Sequence, residues 1–134
     1  MTRNENVQPD PRMSEGRRVL VVEDEEIILA DMQRQLRKQG YTIAGTASSG
    51  ADAIRAAATT HPDIILMDLR LQGRVNGLEA ARRIRETSAV PILFVSAHAG
   101  ALATNLPNLP GHNSVLLKPF TPTELCEAIQ KMLA

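Results

Sequence analysis

Five short apolar runs alternate with stretches of helical periodicity along the chain. Arg18 to Val22 is a β-branched run, and from Glu25 to Gln39 the apolar positions Ile28, Leu29, Met32 and Leu36 recur at helical spacing. Gly40 suits the stop of that helix, after Arg37 and Lys38 in its last turn. Tyr41 to Ala47 predicts a second strand of mild hydrophobicity, nearer an edge. Gly50 to Thr59 predicts an Ala-rich helix capped by Ser48 or Ser49, with Ala53, Ile54 and Ala57 inward. His61-Pro62-Asp63 then turns the chain into Ile64 to Met67, a run that stops abruptly at Asp68. A run that short, closed by a loop containing Gly73, reads as a strand buried on both faces.

After the loop Leu69 to Asn76, a helix is predicted from Gly77 to about Glu86. Leu78, Ala81 and Ile84 form its buried stripe, and Arg82, Arg83 and Arg85 its solvated face. Pro91 to Val95 is the fourth strand, ending in Ser96-Ala97-His98. Ala99 to Asn113 contains Pro107 and Pro110, so a long helix is excluded there and at most a short turn is expected around Ala101 to Asn105. Ser114 to Leu117 is the fifth strand, ending in Lys118-Pro119. Thr121 or Thr123 opens a last helix with Leu125, Ile129 and Met132 inward. Five βα units with right-handed crossovers give an α/β fold, a doubly wound parallel sheet of order 2-1-3-4-5. Residues 1–17 carry Pro9, Pro11 and scattered charge without periodicity, which predicts a flexible tail before one domain spanning 18–134.

Composition narrows the function classes. The 134 residues carry formal net charge zero, which argues against a free-standing nucleic-acid binder. The lone Cys126 excludes an internal disulfide and fits a reducing compartment. No apolar run approaches the roughly 20 residues of a membrane span, and Met1 to Gly16 lacks the apolar segment of a signal peptide. A cytoplasmic location is expected, with no membrane partner. His61 and His112 lie in predicted turns without metal-ligand spacing.

In an open α/β sheet, ligands sit outside the carboxyl ends of the strands. The first strand ends in Glu23-Asp24, the third in Asp68, the fourth in Ser96 and the fifth in Lys118. With strands one and three adjacent, Glu23, Asp24 and Asp68 converge. A like-charged pair ~4 Å apart costs about 4 kcal/mol at an effective dielectric of about 20, so the pocket calls for a cation or a proton. A hard divalent ion with few protein ligands is the Mg²⁺ pattern, commonly completed by a phosphate oxygen. Lys118 supplies a point charge for that phosphate, Ser96 a hydroxyl, and Asp68 a nucleophile able to form an aspartyl phosphate.

The chain from Arg18 to Ala134 resembles the receiver domain of two-component response regulators. The resemblance rests on Val19-Leu20-Val21-Val22-Glu23-Asp24-Glu25, Asp63-Ile64-Ile65-Leu66-Met67-Asp68, Gly77-Leu78-Glu79-Ala80-Ala81, Pro91-Ile92-Leu93-Phe94-Val95-Ser96-Ala97 and Leu117-Lys118-Pro119-Phe120, in that order. It implies a flavodoxin-like (βα)5 sandwich, here with a short or irregular fourth helix. It implies Asp68 as phosphoacceptor, with Mg²⁺ held by Asp24 directly, by Glu23 through water, by Asp68 and by the carbonyl of Arg70. Ser96 and Lys118 would contact the phosphoryl group, and the Lys118-Pro119 bond would be cis. The implied partners are a sensor histidine kinase or histidine phosphotransfer protein as donor and a protein target for output, with no direct nucleic-acid contact. A phosphorylation-dependent dimer is one form that output can take.

Three features depart from the family pattern. Val115 stands where an aromatic switch residue is usual, the loop after Asp68 is one residue longer than the commonest form, and prolines break the region of the fourth helix. These features define an alternative, a degenerate receiver acting as a phosphorylation-independent binding module. A phosphatase of the haloacid-dehalogenase type also uses a strand-end Asp with Mg²⁺, but it wants a second Asp where this chain has Arg70, so an enzyme is not expected. Arg70 and His98, each two residues beyond a site residue, are expected to tune the lifetime of the phosphorylated state.

Overall fold

The computed structural model describes residues 16–71, 73–97 and 109–134. The expected tail therefore lies almost wholly outside the described residues. So do His98 and the turn of helix expected at 101–105. The elements are β1 (Arg18–Val22), α1 (Glu26–Lys38), β2 (Thr42–Ala47), α2 (Gly50–Thr60), β3 (Ile64–Asp68), α3 (Gly77–Arg85), β4 (Ile92–Ser96), β5 (Asn113–Leu117) and α4 (Pro122–Leu133). All strand pairs are parallel, in the order β2-β1-β3-β4-β5. This is the doubly wound arrangement expected from the alternation, and β2 lies at an edge as its mild hydrophobicity suggests.

Each strand of the sheet's centre sends alternate side chains to opposite faces. Leu20, Val22, Ile65, Met67, Ile92 and Phe94 face α2 and α3, where Ala53, Ala80, Ala81 and Ile84 meet them. Val19, Val21, Ile64, Leu66, Leu93 and Val95 face α1 and α4, packing on Met32, Leu36, Leu125 and Ile129. Burial on both faces explains why β3 and β4 read as continuous apolar runs rather than alternating ones.

The helix starts resolve what the sequence left open. Ser49, not Ser48, caps α2 by accepting from the Asp52 N–H at 3.1 Å. Thr121, not Thr123, caps α4 in a reciprocal box: its hydroxyl accepts from the Glu124 N–H, and the Glu124 carboxylate accepts from the Thr121 N–H. Asn76, which the hydrophobic pattern did not single out, caps α3 by accepting from the Glu79 N–H.

Arg85 corrects the reading of the α3 surface. Arg82 and Arg83 are exposed beside Glu79, as a solvated face should be. Arg85 instead turns toward the amino ends of β4 and β5. Its guanidinium donates to the carbonyls of Val90, Pro110 and His112 and to Asn113 Oδ1. An arginine's planar fork can serve several fixed acceptors at once, which helical periodicity cannot reveal.

Candidate functional site at the carboxyl end of the sheet

β1 ends where the Glu23 N–H donates to the Ala47 carbonyl at 3.0 Å, so the chain leaves the sheet between its two neighbouring strands. That places Glu23 against β3, with the side chain 1 % exposed. Asp24, one residue on, is only partly buried. β3 carries Asp68 to its last position, 6 % exposed, in register with Val95 of β4. One carboxylate oxygen from each of Glu23, Asp24 and Asp68 lies within 4.8 Å of the others. Both β1 and β3 face the sheet's order reversal, so these three acids meet from two strand ends.

Ser96 closes β4 and is buried. The Lys118 N–H donates to the Ser96 carbonyl at 2.8 Å, tying the ends of β4 and β5 together. The Lys118 side chain reaches back over the acids, with Nζ 3.5 Å from Glu23 Oε2 and 3.9 Å from Asp68 Oδ1. The Lys118-Pro119 bond is cis. The Arg70 N–H donates to Asp68 Oδ1 at 3.2 Å, while the Arg70 side chain is exposed. Thus Glu23, Asp24, Asp68 and Lys118 are brought together, with Ser96 at the adjoining strand end and Arg70 at the mouth.

The electrostatics of the cluster are incomplete. Among the described residues Lys118 faces three acids, and its contacts are longer than charge-assisted hydrogen bonds, which run about 2.7–2.9 Å. Glu23 Oε1 accepts from the Glu25 N–H at 3.2 Å, but Oε2 accepts no hydrogen bond among the described residues. Burial pushes the Glu23 carboxyl up from its ordinary 4.5 to about 7, and the charge of Asp68 adds to that. The Glu25 N–H and Lys118 act in the opposite direction. A buried, under-coordinated carboxylate oxygen beside two further carboxylates is a donor set suited to a hard divalent cation.

The sequence marks Gly77 as a helix start and as the first residue of the segment Gly77-Leu78-Glu79-Ala80-Ala81. Its role is visible in space. A methyl group built there would overlap the carbonyl oxygen of Asp68 and lie 3.0 Å from Leu69 Cα. Gly50 at the start of α2 makes a similar close approach to Val75, farther along the same loop. Neither proximity has a signature in composition or periodicity.

Residues 19–130 match the family described as the response regulator receiver domain. The transcriptional regulatory protein PdtaR of Mycobacterium tuberculosis is 34 % identical over 114 residues, covering 85 % of this chain and 55 % of that protein. The regulatory protein PhoP of alkaline phosphatase synthesis in Bacillus subtilis is 32 % identical over 119 residues, covering 88 % of this chain and 49 % of that protein. The chain thus spans about half the length of these relatives. Among solved structures, the receiver domain of the sensor histidine kinase PA1611 from Pseudomonas aeruginosa superposes with a TM-score of 0.79 at 33 % identity. It covers 88 % of this chain and 98 % of that one, and was crystallised with a magnesium ion coordinated in its active-site cleft.

Proposed function

Because the chain belongs to the response regulator receiver domain family, we propose that it is a phosphoacceptor that takes a phosphoryl group on Asp68 in a Mg²⁺-dependent reaction. The observation carrying this reading is the convergence of Glu23, Asp24 and Asp68 under Lys118, with one Glu23 oxygen left without a hydrogen bond among the described residues. Asp24, Glu23 and Asp68, with the Arg70 carbonyl, would hold Mg²⁺, which would offset charge on the phosphoryl oxygens.

The residues of this chain do the rest. An oxygen of Asp68 attacks phosphorus, the bond from phosphorus to the donor's imidazole nitrogen breaks, and the imidazole leaves to take a proton from solvent. Lys118 moves from the acids toward the incoming phosphoryl group, and the Ser96 hydroxyl bonds it. The group adds a charge of about −1.5 to −2, enough to redraw these contacts and the surface around them. The donor is a histidine kinase or histidine phosphotransfer protein, and output is binding of a protein target. On this reading the chain is a stoichiometric acceptor rather than a multiple-turnover enzyme. Ile27, 87 % exposed at the start of α1 and three residues beyond Asp24, supports a protein donor approaching from that side. Among the described residues no helix is long and apolar enough to cross a membrane.

Intact mass after incubation with acetyl phosphate tests the proposal. A gain of one phosphoryl group that requires Mg²⁺ and disappears in Asp68→Ala is expected. No gain under any condition would overturn it in favour of a binding module independent of phosphorylation. Arg70→Ala should alter the rate at which the label is lost, and an unchanged rate would remove Arg70 from the lifetime control.

A further inference from the structure

Resting on that reading, we infer that Gly77 is a positioning residue for Asp68, acting through the main chain. Asp68 is held from behind by the sheet, where the Leu69 N–H donates to the Val95 carbonyl at 3.3 Å. In front, the chain must turn back from Asp68 over the loop 69–76 to start α3. α3 begins with its first turn pressed against that loop. The Gly77 N–H donates to the Leu69 carbonyl at 3.2 Å, and the space a Cβ would need is filled by the Asp68 carbonyl oxygen and by Leu69 Cα. Asn76 caps the helix from the preceding position, so its start cannot slide along the chain.

Asp68 and Leu69 are therefore clasped between a β4 carbonyl and a helix start without a side chain. Arg70 leaves this clasp with its N–H on Asp68 Oδ1, which orients the acceptor carboxylate. By helix propensity alone, alanine at Gly77 should be favourable. The close approach predicts the reverse, because the atoms in the way are backbone and cannot rotate aside. A shift of the Asp68 carbonyl turns the carboxylate and the Arg70 main chain together, and both are parts of the proposed metal and phosphoryl site.

Gly50 supplies the control. It makes an equally tight approach, to the Val75 backbone with Val75 Cγ1 at 2.7 Å, but at the far end of the loop. Gly77→Ala and Gly50→Ala should both lower the melting temperature. Only Gly77→Ala should weaken Mg²⁺ binding and slow labelling by acetyl phosphate, each by about tenfold or more, as loss of an orienting neighbour does at metal sites. Mg²⁺ affinity would be read by titration followed through backbone amide chemical shifts. Equal effects of the two variants, in proportion to lost stability, would overturn the inference while leaving the receiver reading intact.

The wild-type protein gives a second measurement should Gly77→Ala fail to fold. Mg²⁺ should shift the amide resonances of Arg70 and Gly77 and leave Gly50 in place. Shifts at Asp24 and Asp68 without one at Gly77 would overturn the inference. No shift anywhere in the wild type would overturn the receiver reading, and the inference with it.

Discussion

Arg85, half-buried at the amino end of the strands, and Glu23, buried at the carboxyl end, are treated in opposite ways. The Arg85 guanidinium donates to three carbonyls and an amide oxygen, drawn from the entries to β4 and β5. The Glu23 carboxylate is nearly inaccessible, faces two other acids, and has one oxygen that accepts no hydrogen bond among the described residues. Burial depresses the pKa of Arg85 and raises that of Glu23, so each pays toward its neutral form. Around Arg85 four acceptors replace the lost hydration, whereas among the described residues Glu23 receives a backbone N–H at one of its two carboxylate oxygens. Buried charge that is satisfied locks structure together, whereas buried charge left short of partners stores a binding capacity. The same fold thus separates a stabilising end from the end that carries the proposed site, across the length of five-residue strands.

The comparison can be broken most decisively at Arg85. Arg85→Ala strands several backbone acceptors and should lower the unfolding free energy by about 3 kcal/mol. Denaturant melts would show this, and the fraction still folded should label with acetyl phosphate as the wild type does. A loss of labelling in that folded fraction would mean the two ends are not separable.

The next effect concerns pH. The Glu23 carboxyl binds its proton more tightly folded than unfolded, so its contribution to stability is full below pH 4.5 and is lost as pH rises toward 7. Without divalent ions, Glu23 should make the folded state about 2 kcal/mol less stable at pH 8 than at pH 5. Glu23→Gln should remove that part of the slope. Saturating Mg²⁺ should flatten it, because a metal favours the carboxylate. A wild-type slope unchanged by both would contradict the strained-acid reading.

Two smaller changes sharpen the contrast. Thr121→Ala removes one half of the capping box that starts α4 just after Lys118-Pro119, and should cost about 1 kcal/mol. Ile27→Ser touches an exposed apolar side chain and should change stability by less than about 0.5 kcal/mol. It should also leave acetyl phosphate labelling alone while slowing transfer from a protein donor. Equal slowing with both donors would place Ile27 in the chemistry rather than in docking.

Much of this is legible in the order of residues alone. The buried strands showed as apolar runs, the helices as periodic stretches, and the acids as abrupt ends to strands. Those features depend on residue type and order alone, because burial on two faces demands a continuous run and a strand end is where polarity returns. The βα alternation and the right-handed crossover favour the doubly wound order, which sets Glu23, Asp24 and Asp68 at neighbouring strand ends, and their carboxylates lie within 4.8 Å of one another.

Other properties existed only once the chain was folded. Helical spacing puts Arg85 among three solvated arginines, because its acceptors lie up to 28 positions away and become neighbours through packing alone. The raised pKa of Glu23 comes from depth, because the end of β1 carries its carboxyl out of solvent. Gly77 and Gly50 carry information as absent side chains, and an absence becomes a contact only when another backbone arrives to use the space. Residue identity and spacing determined which groups stand at the strand ends. Tertiary packing decided which of them are satisfied, because hydration and hydrogen bonding are set by whatever the rest of the chain brings within about 3 Å.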